Sequence, residues 1–126
     1  AFTCVPSTSP LGGFYAQDLD IPLTLIVTII LTAAMLWPMN QTSAASNGLD
    51  KVLHFTAFAV LVLPLSITCR FSLISVFMAA TAFGGAIELI QPSLNRSAEF
   101  YDWIADIAGV LFGIGFGLLY LRFRRR

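Results

Sequence analysis

Four long runs of apolar residues, separated by short polar stretches, constrain the fold of this chain more than any other feature. The first run, from Ile21 to Trp37, is 17 residues long and contains no charged residue. At 1.5 Å per residue it is just long enough to cross the roughly 30 Å of hydrocarbon in a bilayer. Three further runs start at Val52, Phe71 and Tyr101. The pattern predicts four transmembrane helices.

The composition is typical of a membrane protein and disagrees with a soluble domain. Of the 126 residues, 57% are hydrophobic and only 11% are charged, and the mean hydropathy is +0.82. So few charges do not cover the surface of a soluble fold of this size. The formal net charge is zero, which argues against a nucleic-acid partner because phosphate binding needs a basic excess. We therefore predict an all-α membrane protein, an antiparallel bundle of four transmembrane helices.

Helix-capping residues and helix breakers suggest where the helices begin and end. Residues 1–20 are predicted to form a polar N-terminal segment. Asp20 and Pro22 are placed at the start of helix 1, because Asp caps helices and Pro is tolerated in a first turn. The transmembrane domain is predicted at 21–121, with helices at about 21–38, 51–69, 71–91 and 101–121, followed by a basic tail at 122–126.

Lys and Arg are unevenly divided between the two sides of the membrane. With four spans, both termini and the turn between helices 2 and 3 lie on one side. That side carries five of these residues: Arg70, Arg122, Arg124, Arg125 and Arg126. The opposite side carries only Lys51 and Arg96. Because cytoplasmic loops carry the excess of Lys and Arg, both termini are predicted to be cytoplasmic.

The opposite, outward-facing side brings polar residues from three helices to one level. Glu88 and Asp106 lie within apolar sequence, where an ionised carboxylate costs several kcal/mol unless it is paired or wetted. We predict an outward-facing polar cluster for ligand binding. Its members come from helix 2, helix 3, the outer loop and helix 4: Asp50, Lys51, His54, Glu88, Gln91, Arg96, Asp102 and Asp106.

Several of these residues also have a structural interpretation. Asp50 can cap helix 2 instead of serving a site. Lys51 can anchor the helix at the interface, or it can pair with Glu88 or Asp106. His54 can be a structural histidine that hydrogen bonds satisfy. The whole cluster can therefore be a clamp that holds the fold, or a site for a small molecule, a lipid headgroup or a proton.

No cofactor and no metal site are predicted. Arg96 is most simply a partner of Glu99 or Asp102. A histidine beside carboxylates can bind a metal, but no motif such as His-Glu-x-x-His supports this. Cys4 and Cys69 have no metal or redox spacing and are predicted to be unrelated thiols, with a disulfide as the alternative that the topology disfavours.

Helix 4 carries a stripe of small residues below its carboxylates. Gly109, Gly113 and Gly117 recur every four residues, on the same face as Asp102 and Asp106. Small residues at this spacing let another helix approach closely. The stripe predicts tight helix packing, with an oligomer face as the alternative, and it indicates that the carboxylates point into the bundle.

At these residues the chain resembles the VanZ-like family of small bacterial membrane proteins. The resemblance spans about residues 20–120. It departs from the family pattern at Asp106, where many members are expected to have Asn. It is carried by Asp50-Lys51-Val-Leu-His54-Phe55-Thr-Ala-Phe58, by Glu88-Leu-Ile-Gln91, by Arg96 and Asp102, and by Asp106-Ile-Ala-Gly109 with Gly113.

The resemblance implies a multi-pass protein of the bacterial cytoplasmic (inner) membrane with a role in the cell envelope, and it supplies no reaction. The first functional hypothesis is a non-enzymatic protein whose polar cluster binds an envelope lipid or ligand. The second is an accessory subunit packed against a larger membrane protein complex. An enzyme acting on a lipid-linked phosphate is the weakest of the three, because phosphate-cradling motifs are absent from the sequence.

Overall fold

The computed structural model describes residues 12–37, 46–94 and 98–126. Every element in these ranges is helical, and four helices are long and apolar enough to cross a membrane. The prediction of an all-α protein with four membrane-spanning helices is thereby confirmed. The elements are α1 (Gly12–Leu36), α2 (Ser46–Thr68), α3 (Leu73–Ile90), a short 3-10 helix (Gln91–Leu94) and α4 (Phe100–Arg124).

Helix α1 begins at Gly12, nine residues before the predicted start at residue 21. Asp20 and Pro22 therefore lie inside the helix, and their predicted place at its start is wrong. The missing information is tertiary, because Asp20 is buried against α2 and has partners there. Helix α4 also runs further than predicted, to Arg124, since long arginine side chains reach water from the end of a membrane helix.

A second polar cluster joins α1 to the end of α2. The Thr68 hydroxyl donates a hydrogen bond of 2.7 Å to Asp20 Oδ2. The Arg70 guanidinium lies 3.3 Å from Asp20 Oδ1 and also donates to the backbone carbonyl of Gln17 at 2.6 Å. This end of the bundle therefore also holds a buried carboxylate, which the sequence analysis did not predict. A buried carboxylate in a helix bundle needs such partners, and the sequence places them 48 to 50 residues away.

The tight turn between α2 and α3 contains Cys69. Its backbone lies in the left-handed region, with φ of 53°, and its N–H donates to the Leu65 carbonyl at 3.2 Å, which closes the helix end. Ser72 then caps α3 by accepting from the Ser75 N–H. The prediction of an unrelated thiol is wrong for Cys69, whose sulfur is in a disulfide with a partner outside the described residues. The absence of a metal or redox spacing motif does not exclude a disulfide.

The closest helix packing is between α2 and α4. The three glycines of the α4 stripe lie against α2: Gly109 faces the carbonyl of Phe55, Gly113 that of Ala59 and Gly117 the side chain of Ser66. A methyl group at any of these positions would collide with α2. The helices consequently touch backbone to backbone, and the carboxylates above the stripe are carried into the bundle. Apolar side chains of all four helices fill the rest of the core, among them Met35, Phe58, Val62, Ile87 and Val110.

Candidate functional site

Three ionisable side chains from three helices meet at one depth in the bundle. His54, Glu88 and Asp106 each lie six residues from the end of their span, counted from Gly48, Leu94 and Phe100 respectively. At 1.5 Å per residue this is about 9 Å below the end of the helix. All three are buried, with relative exposures of 1%, 8% and 0%. We call them the buried triad.

The imidazole of His54 is the centre of the buried triad. Its Nδ1 lies 2.8 Å from Asp106 Oδ1 and 4.0 Å from Glu88 Oε1. Gly84 on α3 makes room for the Asp106 carboxylate, because a Cβ there would lie 2.7 Å from Asp106 Oδ2. The absence of a side chain at Gly84 therefore lets α4 bring a carboxylate between α2 and α3.

A second layer of charged residues lies nearer the end of the bundle. Lys51 Nζ contacts Glu99 Oε2 at 2.7 Å and Asp102 Oδ1 at 3.4 Å. The alternative that Lys51 pairs with Glu88 or Asp106 is wrong. Lys51 lies about one turn nearer the start of α2 than His54, and its side chain reaches residues at the start of α4. Glu88 Oε2 instead accepts a hydrogen bond of 3.1 Å from the backbone N–H of Glu99.

The remaining predicted site residues have other surroundings. Asp50 is the fifth residue of α2, so the alternative that it caps this helix is wrong. Gln91 is buried and donates to the backbone carbonyl of Met35 at 3.3 Å, which ties the 3-10 helix to the end of α1. Arg96 lies outside the described residues, and the structure gives Lys51 as a partner of both acids proposed for it.

Glu99 belongs to the site, although the sequence suggested it only as a partner for Arg96. Its position three residues before Asp102, at the entry to α4, is the signal that could have included it. With Glu99 the cluster contains five carboxylates, from Asp50, Glu88, Glu99, Asp102 and Asp106. The cationic side chains facing them in the described part of the chain are Lys51 and, when protonated, His54. Among the described residues of the cluster, carboxylates outnumber cations, and this arrangement suits a positively charged ligand.

Part of the buried triad lacks hydrogen-bond partners. Within the described ranges, no donor or acceptor reaches His54 Nε2, Glu88 Oε1 or Asp106 Oδ2. Buried polar atoms in native proteins are normally satisfied, and each exception requires an explanation. These atoms therefore mark a position where a ligand, a water molecule or an additional proton stabilises the fold.

Two grooves on the membrane-facing surface lead to the polar cluster. One, of about 520 Å³, lies between α3 and α4 and is lined by Ala82, Ala86, Glu88, Leu89, Glu99, Phe100 and Trp103, among others. The other, of about 380 Å³, lies between α1 and α2 and ends at Asp50 and His54. Both are apolar along most of their length and acidic at one end. The first is called the α3–α4 groove below.

Comparisons with known proteins are consistent with the sequence and the fold. The model of the VanZ/LLP1 family matches residues 1–123, which is nearly the whole chain. No curated protein and no solved structure matches. The match includes every residue of the polar cluster and of the glycine stripe. The chain therefore belongs to the VanZ/LLP1 family of membrane proteins.

Proposed function

We propose that this protein is a non-enzymatic lipid-binding membrane protein whose ligand carries an ammonium group in its headgroup. An acyl chain of the lipid occupies the α3–α4 groove, and the ammonium group lies at the acidic end. The observation that carries the proposal is that this apolar groove ends at Glu88 and Glu99, within a cluster where carboxylates outnumber cations. A lipid with an anionic headgroup meets repulsion at the same place.

The walls of the α3–α4 groove suit such a lipid. Three small residues of α3, Ala82, Gly85 and Ala86, keep the groove open along its floor. Trp103 forms a fixed wall, because its indole N–H donates to the Thr81 carbonyl at 3.0 Å. Phe100 and Trp103 lie beside the acidic end, where aromatic faces also attract an ammonium group. Charge and aromatic contacts thus favour the same headgroup.

Native mass spectrometry of the protein released from mixed-lipid nanodiscs tests this function. The nanodiscs contain equal amounts of phosphatidylethanolamine and phosphatidylglycerol with identical acyl chains. One ion pair at a partly exposed site contributes about 1 kcal/mol, which corresponds to roughly fivefold enrichment of the ethanolamine lipid on the protein. Equal retention of both lipids contradicts the proposal.

Filling the α3–α4 groove should remove the bound lipid without unfolding the protein. Ala86 is exposed and lines the groove, so Ala86→Phe places a ring where the acyl chain lies and meets no buried group. We expect lipid retention to fall at least about fivefold, the enrichment that one ion pair confers. Ala33→Phe, on the exposed face of α1, is the matched control and should retain lipid as the unmodified protein does. Similar retention by both variants would place the lipid elsewhere.

We propose further that both termini are cytoplasmic and that the polar cluster faces outward. The arginines at the end of α4 and Arg70 support this orientation through the positive-inside rule. The disulfide of Cys69 lies at the same end and favours the opposite orientation, because thiols in the cytoplasm are kept reduced. A green fluorescent protein fused after Arg126 should fluoresce, and alkaline phosphatase fused there should be inactive. The reverse pair of results would invert the orientation.

A further inference from the structure

We infer that the buried triad of His54, Glu88 and Asp106 is a binding site for one divalent transition-metal ion, with Zn²⁺ the best match. The ligand atoms are one imidazole nitrogen, for which His54 Nδ1 faces both acids, and one carboxylate oxygen from each acid. They come from three different helices, so no local sequence motif contains all three. The site adjoins the α3–α4 groove, because Glu88 also lines that groove.

The distances between the ligand atoms suit a small ion. All three lie within 4.8 Å of one another. A tetrahedral zinc ion with bonds of about 2.0–2.1 Å holds its ligand atoms about 3.3 Å apart. The separation of 2.8 Å between His54 and Asp106 is slightly shorter than this, and that of 4.0 Å between His54 and Glu88 slightly longer. Small side-chain rotations, which move the ligand atoms by a fraction of an ångström, accommodate the ion.

The unpartnered oxygen of Glu88 points independently to an ion. A proton on His54 Nδ1 is shared with Asp106 at 2.8 Å and leaves Glu88 Oε1 without a donor in the described part of the chain. The Glu88 side chain is nine-tenths buried, and this oxygen lies 4.0 Å from His54 Nδ1. A divalent cation between the three side chains gives Glu88 Oε1 a partner and takes the place of the proton between His54 Nδ1 and Asp106 Oδ1. It also cancels the charge of the two carboxylates, which is costly to bury otherwise.

The donor set selects the class of metal. One imidazole nitrogen with two carboxylate oxygens suits Zn²⁺ and neighbouring transition metals, whereas Mg²⁺ and Ca²⁺ prefer six or more oxygen ligands. Three protein ligands leave a fourth position for water or another group. The neighbouring group of Asp50, His54 and Asp102 is a poorer site, because Asp102 is already 3.4 Å from Lys51.

Metal binding to the purified, chelator-treated protein in lipid nanodiscs tests the inference. Zinc content is measured by plasma mass spectrometry, and affinity is measured by competition with a chelating dye. We expect one zinc ion per chain, and an affinity lowered at least about tenfold in the isosteric variants Glu88→Gln and Asp106→Asn. Asp20→Asn, which changes the buried carboxylate at the other end of the bundle, is the matched control and should bind as the unmodified protein does.

Cobalt provides a second measurement on the unmodified protein, in case a variant does not fold. Co²⁺ bound at the buried triad should give the intense visible absorption of a four-coordinate ion, and Zn²⁺ should displace it. Zinc content no higher than in empty nanodiscs, or cobalt with only the weak absorption of a hydrated ion, overturns the inference. Equal zinc affinity in Asp20→Asn, Glu88→Gln and Asp106→Asn also overturns it, because the metal is then bound elsewhere.

Discussion

Gly109→Ala should lower the free energy of unfolding by about 3 kcal/mol, at the upper end of the range for overpacking a core. The added methyl group would collide with the backbone carbonyl oxygen of Phe55 on α2. A backbone atom does not rotate away as a side chain does, so α2 and α4 must separate. Because these two helices form the most extensive contact in the bundle, the cost is spread over much of the core. Unfolding in increasing concentrations of sodium dodecyl sulfate, monitored by circular dichroism, measures this loss of stability.

Gly115→Ala is the control on the same helix. A Cβ at Gly115 meets no atom within 4 Å, and the position is exposed. Alanine is a better helix former than glycine, so this variant should keep the stability of the unmodified protein or gain up to about 1 kcal/mol. If Gly109→Ala proves as stable as Gly115→Ala, the glycine stripe does not set the distance between α2 and α4.

His54→Leu should cost about 3–5 kcal/mol of unfolding free energy, measured with a chelator present so that no metal contributes. The substitution removes the group 2.8 Å from Asp106 and leaves that fully buried carboxylate with no hydrogen-bond partner within the described ranges. The cost arises from the stranded charge and not from lost packing, since leucine fills a similar volume. Removing the charge of Asp106 as well tests whether the stranded charge is the cause.

Adding Asp106→Asn to His54→Leu should restore part of the lost stability, because the remaining group is then neutral. The double variant is therefore expected to be more stable than His54→Leu alone, and the double-mutant cycle should give a coupling energy of at least about 1 kcal/mol. Additive losses from the two substitutions would mean that the two side chains do not interact, which contradicts the geometry of the buried triad.

The features that the sequence predicts well are those set within one helix. Each apolar run determines a span, and spacings of three and four residues place Asp106, Gly109 and Gly113 on one face of α4, whatever the neighbours are. The partner of a residue across the bundle cannot be predicted in this way. The helical period shows which residues share a face, but it does not show which helix that face contacts. The wrong partners predicted for Lys51 have this cause.

The start of α1 and the role of Asp20 could not be predicted for a related reason. A carboxylate before an apolar run reads as a helix cap, whereas in the structure Thr68 and Arg70 hold Asp20 inside a longer helix. Those two residues are local to the α2–α3 turn in sequence and meet Asp20 only when the bundle forms. The gathering of His54, Glu88 and Asp106 was partly predictable, since topology places all three at the same end.

The headgroup selectivity of the bound lipid tests the central claim most directly, namely that the excess of carboxylates at the end of the α3–α4 groove selects a positively charged group. In nanodiscs with equal amounts of the two lipids, native mass spectrometry should find phosphatidylethanolamine enriched roughly fivefold over phosphatidylglycerol, and Glu99→Gln should reduce that ratio toward one. Enrichment of phosphatidylglycerol, or a ratio that Glu99→Gln leaves unchanged, would contradict it.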